Sequence, residues 1–184
     1  MFIQTEATPN PATVKFIPGV AVMKSGTIDF RGLDSAKGQS PLAERLFSIK
    51  HIEGVFLGAD FIAITKADDA EWMNLKPLIL GTLFEFFASN QPVILANEPK
   101  SAKVSEPDSE IVMQIKELLE TRVRPAVAND GGDVVFDRFE KGILYLEMRG
   151  ACAGCPSSAI TLKNGIETMM RHYVPDVLEV RQAV

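Results

Sequence analysis

One stretch of the chain, residues 96–107, is too polar to belong to a folded core. Its sequence is ANEPKSAKVSEP, in which Val104 is the single large apolar residue. Such a segment buries too little apolar surface to offset the entropy lost on ordering, and it is typical of a flexible tether. We therefore expect this chain of 184 residues to form two small domains, over residues 1–95 and 108–184.

The first domain carries signals for both strands and helices. Ser40-Pro41 is typical of a helix start, because serine caps the free amide groups and proline fits the first helical position. From Trp72 onward, apolar residues at helical spacing predict one long helix whose aromatic side chains lie in the core: Trp72, Phe84, Phe86 and Phe87. The predicted strands are rich in β-branched and aromatic residues and cover residues 2–5, 12–17, 27–30, 55–57 and 61–65.

The pattern of the second domain predicts the order α-β-β-α-β. Its first helix is predicted to begin at Asp108 and to stop before Arg124-Pro125, because the residue before a proline avoids the helical conformation. The elements that follow are a hairpin of strands 134–139 and 143–149, a helix from Pro156 and a strand at 177–181. The predicted fold is therefore α+β, with two helices on one face of a three-stranded sheet in the second domain.

Charge and hydropathy argue against nucleic acid and membrane as partners. The chain has 19 basic and 24 acidic residues, a net charge of −5, and no cluster of Lys and Arg. Its best apolar run, residues 78–88, is interrupted by polar residues and glycine and is too short to span a bilayer. The first six residues lack the features of a signal sequence, so the expected location is the cytoplasm, or the mitochondrial matrix if a transit peptide has been removed.

Both cysteines of the chain lie in one C-x-x-C motif, Cys152 to Cys155, between a predicted strand and a predicted helix. At a helix N-terminus, free amide groups and the helix dipole favour thiolate over thiol. The spacing leaves four alternatives open: an inert buried pair, a thioredoxin-like dithiol, a zinc site or an iron–sulfur site. The last two need four thiolates, so two chains would have to meet about a twofold axis, each giving one pair.

A second motif, Asp130-Gly131-Gly132-Asp133, contains two carboxylates that could serve acid–base chemistry or bind a metal. The glycines between them favour a turn with positive φ, and we expect the motif to be conformational. No catalytic residue is therefore assigned.

Three motifs of the second domain stand in the order found in the C-terminal domain of NifU, and the whole domain resembles it. They are Asp130 to Asp133, Gly150 to Ser158 and Thr161 to Glu167. The first domain is similar to the N-terminal domain of Nfu proteins, with FIQTE at residues 2–6, TPNPAT at 8–13 and GVF at 54–56. The two resemblances cover nearly all of the chain outside residues 96–107.

The resemblance implies an Nfu-type carrier of iron–sulfur clusters that is not an enzyme. It implies that Cys152 and Cys155 of two subunits bridge a [4Fe–4S] cluster, with [2Fe–2S] as the alternative, so that the loaded protein is a homodimer. The expected partners are upstream cluster assembly factors and the apo-proteins that receive the cluster. We expect the loop to keep the cluster near the surface, and the first domain to modulate partner choice. The rival function is a thiol–disulfide redox protein that uses the same two cysteines.

Overall fold

The structure of the chain, a computed structural model, describes residues 2–95, 109–153 and 156–183, without the side chains of residues 156–159. The chain divides into two compact units, Met1–Pro99 and Lys100–Val184. The predicted linker at 96–107 and Asp108 itself lie outside the described residues, so the domain limits of 95 and 108 stay predictions. None of the described helices is both long enough and apolar enough to cross a bilayer.

The first unit is built on an antiparallel sheet of five strands in the order β1-β2-β5-β4-β3. Its described elements are β1 (Gln4–Ala7), β2 (Thr13–Ile17), β3 (Ile28–Arg31), α1 (Leu33–Ala36), α2 (Pro41–Phe47), β4 (Ile52–Leu57), β5 (Ile62–Lys66) and α3 (Trp72–Ala88). The strands and helices expected from the sequence are all present, with ends shifted by a few residues. The predicted cap is confirmed as well, because the Ser40 hydroxyl accepts a hydrogen bond from the Ala43 amide at 3.1 Å.

The long helix α3 packs on the core with the stripe that its spacing predicts. Leu75, Ile79, Leu83 and Phe86 are buried. The expectation that every aromatic residue of this helix is in the core was wrong for Phe84, which is 51% exposed. Phe84 follows Leu83 by one residue, a rotation of about 100° around the helix, and this turns its ring to solvent. Trp72 is half-buried and donates from Nε1 to the Pro11 carbonyl at 3.0 Å.

The second unit has a three-stranded sheet in the order β6-β7-β8, in which β6 and β7 are antiparallel and β7 and β8 parallel. Its described elements are α4 (Glu110–Leu118), a π-helical turn (Leu119–Val123), α5 (Arg124–Asn129), β6 (Gly132–Glu140), β7 (Ile143–Gly150), a 3₁₀ turn (Ala151–Ala153), α6 (Pro156–Tyr173) and β8 (Glu179–Gln182). Apolar residues of α4, α5 and α6 form one cluster with alternate residues of β7, namely Leu144, Leu146 and Met148. The predicted α-β-β-α-β order is confirmed.

The first helical segment of this unit corrects two expectations. Ser109, and not Asp108, occupies the N-cap position of α4, and its hydroxyl accepts from the Val112 amide. The helical path also continues through Pro125, where the sequence predicted a stop. In the π-helical turn the Arg124 amide bonds to the Leu119 carbonyl, five residues back. This wider turn accommodates a proline that would clash with the carbonyl four residues earlier in a regular α-helix.

The β6–β7 hairpin places two glycines opposite each other at its open end. The turn at the other end uses Lys141 and Gly142, both with positive φ (50° and 80°), as tight hairpin turns require. The pairing of β6 with β7 extends from this turn to the pair Gly132–Gly150. Its register shifts once, between Phe136 and Arg138. The end of the Asp130–Asp133 motif therefore lies beside Gly150, where the cysteine motif begins.

Candidate functional site

Cys152 lies where β7 passes into α6. β7 ends at Gly150 with φ of 63°, and the chain then makes the 3₁₀ turn that contains Cys152 before α6 begins at Pro156. The predicted helix start at Pro156 is thus confirmed. Gly154 and Cys155 lie outside the described residues, so the assignment of the two cysteines as ligands of one cluster stays a prediction.

The Cys152 side chain is buried, with 7% of the residue exposed, and it belongs to the apolar cluster of the second unit. The expectation that the loop keeps the cluster near the surface stays a prediction, but the thiol of Cys152 itself is buried. The 3₁₀ turn directs this residue inward toward the sheet, against the backbone of β6. A thiol in such a position is protected from solvent, and its contacts fix where it points.

The Asp130–Asp133 motif supplies the backbone that contacts Cys152. Gly131 has φ of 79°, which glycine adopts without strain, and its carbonyl accepts from the Ala151 amide at 3.1 Å. A Cβ placed on Gly132 would lie 2.5 Å from Cys152 Sγ and 2.8 Å from the Arg149 carbonyl. No real Cβ fits at such distances, so the thiol occupies the space that the absent side chain leaves free.

The two aspartates of this motif have different environments. Asp130 is exposed and caps the C-terminus of α5 through its backbone. Asp133 is 2% exposed, and its carboxylate accepts from Arg124 at both oxygens, from Nε at 2.8 Å and from Nη2 at 2.8 Å. The Val134 amide also donates to Oδ1 at 2.8 Å. A buried carboxylate with these partners is a structural ion pair, in agreement with the conformational role predicted for the motif.

Arg124 is held in place from both sides. Besides Asp133, its guanidinium contacts the Glu120 carboxylate one helical turn earlier. The hydrogen bond to Asp133 raises the pKa of Arg124 above its ordinary value, although partial burial acts in the opposite direction. Sequence reasoning missed this pair, because the two residues are nine positions apart across a predicted helix end. The rule that a buried carboxylate needs a cation could have prompted a search for it among neighbouring arginines.

Comparisons with known proteins match both units. A family model described as the N terminal of scaffold protein Nfu/NifU matches residues 3–90, and a NifU-like domain matches residues 115–181. NifU-like protein 4, mitochondrial, of Arabidopsis thaliana is 51% identical over 99% of this chain and 66% of that protein. The NFU1 iron-sulfur cluster scaffold homolog, mitochondrial, of Homo sapiens is 49% identical over 100% of this chain and 72% of that protein. The chain belongs to the Nfu/NifU-like family.

The family resemblance seen in the motifs is therefore confirmed for both halves of this Nfu/NifU-like chain. The chain spans about two thirds of the length of the curated relatives that it matches. Those relatives carry the word mitochondrial in their names, and the expected cytoplasmic location finds no support among them. A solution NMR structure of a NifU-like protein from Saccharomyces cerevisiae matches with a TM-score of 0.48 and 26% identity, over 52% of this chain and 86% of that chain.

Proposed function

We propose that this chain is a carrier of iron–sulfur clusters, with the cluster as its cargo. Cys152 and Cys155 bind the cluster, and the chain passes it to apo-proteins without catalysing a reaction of its own. Family membership supports the class of cargo, since a relative is named as an iron–sulfur cluster scaffold homolog. The C-x-x-C motif supports the choice of ligands, because thiolates are the usual protein ligands of such clusters.

The contact between Gly132 and Cys152 is the observation that carries this proposal. It joins the Asp130–Asp133 motif to the cysteine motif and holds the first thiol at a defined position beside β6. Because Gly132 has no side chain, Sγ has room at this position, and the first proposed ligand is placed by the backbone of the other motif. Because Sγ is covered on the Gly132 side, a recipient protein must approach the cluster from the other side.

The start of α6 fits thiolate ligands electrostatically. This helix runs from Pro156 to Tyr173, directly after the C-x-x-C motif, and proline at its first position lacks an amide that would need a partner. The positive end of the helix dipole and the free amide groups of the first turn favour negative charge. The helix end therefore favours thiolate ligands beside it, whereas the burial of Cys152 among apolar residues acts in the opposite direction.

The number of ligands determines the proposed assembly. A [4Fe–4S] cluster takes four thiolates and the chain contains two cysteines, so two subunits related by a twofold axis bridge one cluster. A [2Fe–2S] cluster has the same need for ligands and differs in the iron count. Apo-proteins that receive clusters and upstream assembly factors that supply them are the proposed partners, each exchanging cysteine ligands with this pair.

Anaerobic reconstitution with ferrous iron and sulfide tests the proposal against a redox function. We expect the wild-type chain to take up iron and sulfide and to lose both to a cluster-free ferredoxin-type acceptor with an open four-cysteine site. A thiol–disulfide redox protein would take up no iron, and its Cys155→Ser variant would trap mixed disulfides with substrate thiols. Iron uptake followed by transfer supports the carrier; trapping without iron uptake contradicts it.

A further inference from the structure

Arg124 and Asp133 stand at the two ends of the segment that contains Gly131 and Gly132, and their side chains are hydrogen-bonded to each other. Arg124 is the first residue of α5, and Asp133 is the second residue of β6. Two hydrogen bonds of 2.8 Å join the guanidinium to both oxygens of the carboxylate, so neither group can rotate without breaking one of them. Segment 124–133 is therefore tied at both ends.

Gly131 and Gly132 lie inside this tied segment, directly before Asp133. Any shift of Asp133 is passed through one peptide bond to Gly132, whose α-carbon faces Cys152 Sγ. The Gly131 carbonyl also accepts a hydrogen bond from the amide of Ala151, the residue before Cys152. The backbone that supports Cys152 thus depends on where Asp133 is held.

We infer that Arg124 and Asp133 are positioning residues for the cluster-binding thiol, and we call the pair the Arg124–Asp133 clamp. This inference rests on the proposed function, because it assumes that Cys152 is a ligand of the cluster and states what holds that ligand in place. The clamp acts on Cys152 through the Gly131–Gly132 backbone.

A contribution to stability alone does not explain this pair. A buried ion pair adds little over apolar residues of the same size, because the cost of desolvating both charges offsets their attraction. A planar guanidinium bonded to both carboxylate oxygens instead fixes direction as well as distance. The π-helical turn before Arg124 also fits this purpose, since it adds a residue to the helix just where the arginine must face β6.

Alkylation of Cys152 in the full chain measures the positioning without any cluster. In a Cys155→Ser background Cys152 is the single thiol, and its burial makes reaction with iodoacetamide depend on local opening. Arg124→Lys keeps the positive charge but cannot bond both oxygens, and Asp133→Asn removes the negative charge. We expect both variants to alkylate about tenfold faster than the parent well below their unfolding temperatures, because losing a hydrogen bond that fixes the segment makes local opening more frequent.

Arg181→Lys is the matched control. Arg181 bonds both oxygens of Glu179 at 2.9 Å, but this pair is half-exposed and belongs to β8, which pairs with the end of β7 away from Cys152. We expect this variant to alkylate at the parent rate. If the clamp variants react no faster than Arg181→Lys, the positioning role is contradicted.

Amide hydrogen exchange separates positioning from general loosening. We expect faster exchange in Arg124→Lys at residues 130–134 and at Ala151, with β8 unchanged. Equal acceleration in β8 would contradict a positioning role. If Asp133→Asn fails to fold, Arg124→Lys carries the test, because it leaves the buried carboxylate paired with a cation.

Cluster retention in the chain with both cysteines distinguishes the two proposals. We expect reconstituted Arg124→Lys to lose iron to a chelator about tenfold faster than wild type, and Arg181→Lys to match wild type. If wild type takes up no iron while the clamp variants still alkylate faster, the proposed function fails and the clamp stands. If wild type carries a cluster and Arg124→Lys retains it equally well, the clamp inference fails alone.

Discussion

Each unit of the chain contains a glycine at a position where any side chain would clash with a neighbouring residue. The neighbouring residue is an aromatic ring in the first unit and a thiol in the second. In the first unit a Cβ on Gly58 would lie 2.4 Å from Cε1 of the Phe61 ring, at the turn between β4 and β5. In the second unit a Cβ on Gly132 would lie 2.5 Å from Cys152 Sγ. The absence of a side chain on glycine therefore allows an aromatic ring to pack in the core of the first unit, and it gives a thiol its position in the second.

The buried polar side chains of the two units also differ in what lies next to them. In the first unit Ser40 caps α2 and donates to the Val93 carbonyl at 2.6 Å, and the hydroxyls of Thr13 and Thr65 bond across two strands at 2.9 Å. These contacts secure the ends and edges of elements. In the second unit the buried carboxylate of Asp133 follows directly after the glycine that faces Cys152. The comparison supports the proposal that the cluster chemistry belongs to the second unit.

Replacing a cysteine gives the largest expected effect. Cys152→Ser and Cys155→Ser should each abolish cluster binding, because in a symmetric dimer either change removes two of the four ligands. Iron and acid-labile sulfide per chain, measured after reconstitution, should fall to background in both variants. Strong retention in one of the two would contradict the ligand assignment.

Burial of Cys152 adds a cost that a surface loop would not have. A serine hydroxyl in its place should lower the free energy of unfolding by about 1–3 kcal/mol, since burying a hydroxyl without a full set of partners is unfavourable. Cys152→Ala is the matched control: it keeps the site apolar, should unfold at a higher temperature than Cys152→Ser, and should bind as little iron. A Cys152→Ala variant that retains the cluster would refute the role of this thiol.

The glycine pair gives the next largest effect and tests the comparison itself. Gly132→Ala and Gly58→Ala should each lower the free energy of unfolding by about 1–3 kcal/mol, because each added methyl group is overpacked. Only Gly132→Ala should also weaken cluster retention, by about tenfold, since its methyl group must displace Cys152 Sγ. Chelator-driven iron loss and thermal unfolding of both variants measure this. Equal iron loss in the two would show that destabilisation alone releases the cluster.

Ile160 tests whether the start of α6 in the second unit lies in the interface of the proposed dimer. It is 61% exposed and lies one helical turn after Pro156, the start of the helix that follows the cysteine motif. Bridging a cluster would bring two copies of this helix end together, so Ile160→Asp should weaken the loaded dimer about tenfold through like-charge repulsion. Met113→Asp on α4, where Met113 is 53% exposed, is the control and should leave the dimer intact. Sedimentation of the loaded variants compares the two; equal dimerisation would place Ile160 outside the interface.

Removal of the first unit should have the smallest effect on cluster binding. If the chemistry belongs to the second unit, residues 108–184 alone should take up as much iron per chain as the full chain. The rate of cluster transfer to acceptors should then differ between the truncated and the full chain, if the first unit modulates partner choice as we expect from the sequence. A truncated chain that folds, as judged by circular dichroism, and yet binds no cluster would overturn the division of labour.

Local patterns predicted most of the secondary structure, because strands and helices bury periodic faces. The same patterns placed Phe84 in the core by its aromatic character, whereas its position around α3 turns it outward. They ended a helix at Pro125, since a π-helical turn leaves no periodic signature in so short a segment. The cysteine motif was identified from the sequence, but its support by Gly132, Asp133 and Arg124 depends on tertiary contacts across β6, β7 and α5.

Native mass spectrometry of the anaerobically reconstituted full chain tests the central claim most directly. The account predicts one species whose mass equals two chains plus four iron and four sulfide ions, and it predicts that this species reverts to monomer when the cluster is removed. A mass of two chains with two iron and two sulfide ions would keep the carrier and change the cluster type. A four-iron cluster held by a single chain, or a chain that binds no iron at all, would contradict the account.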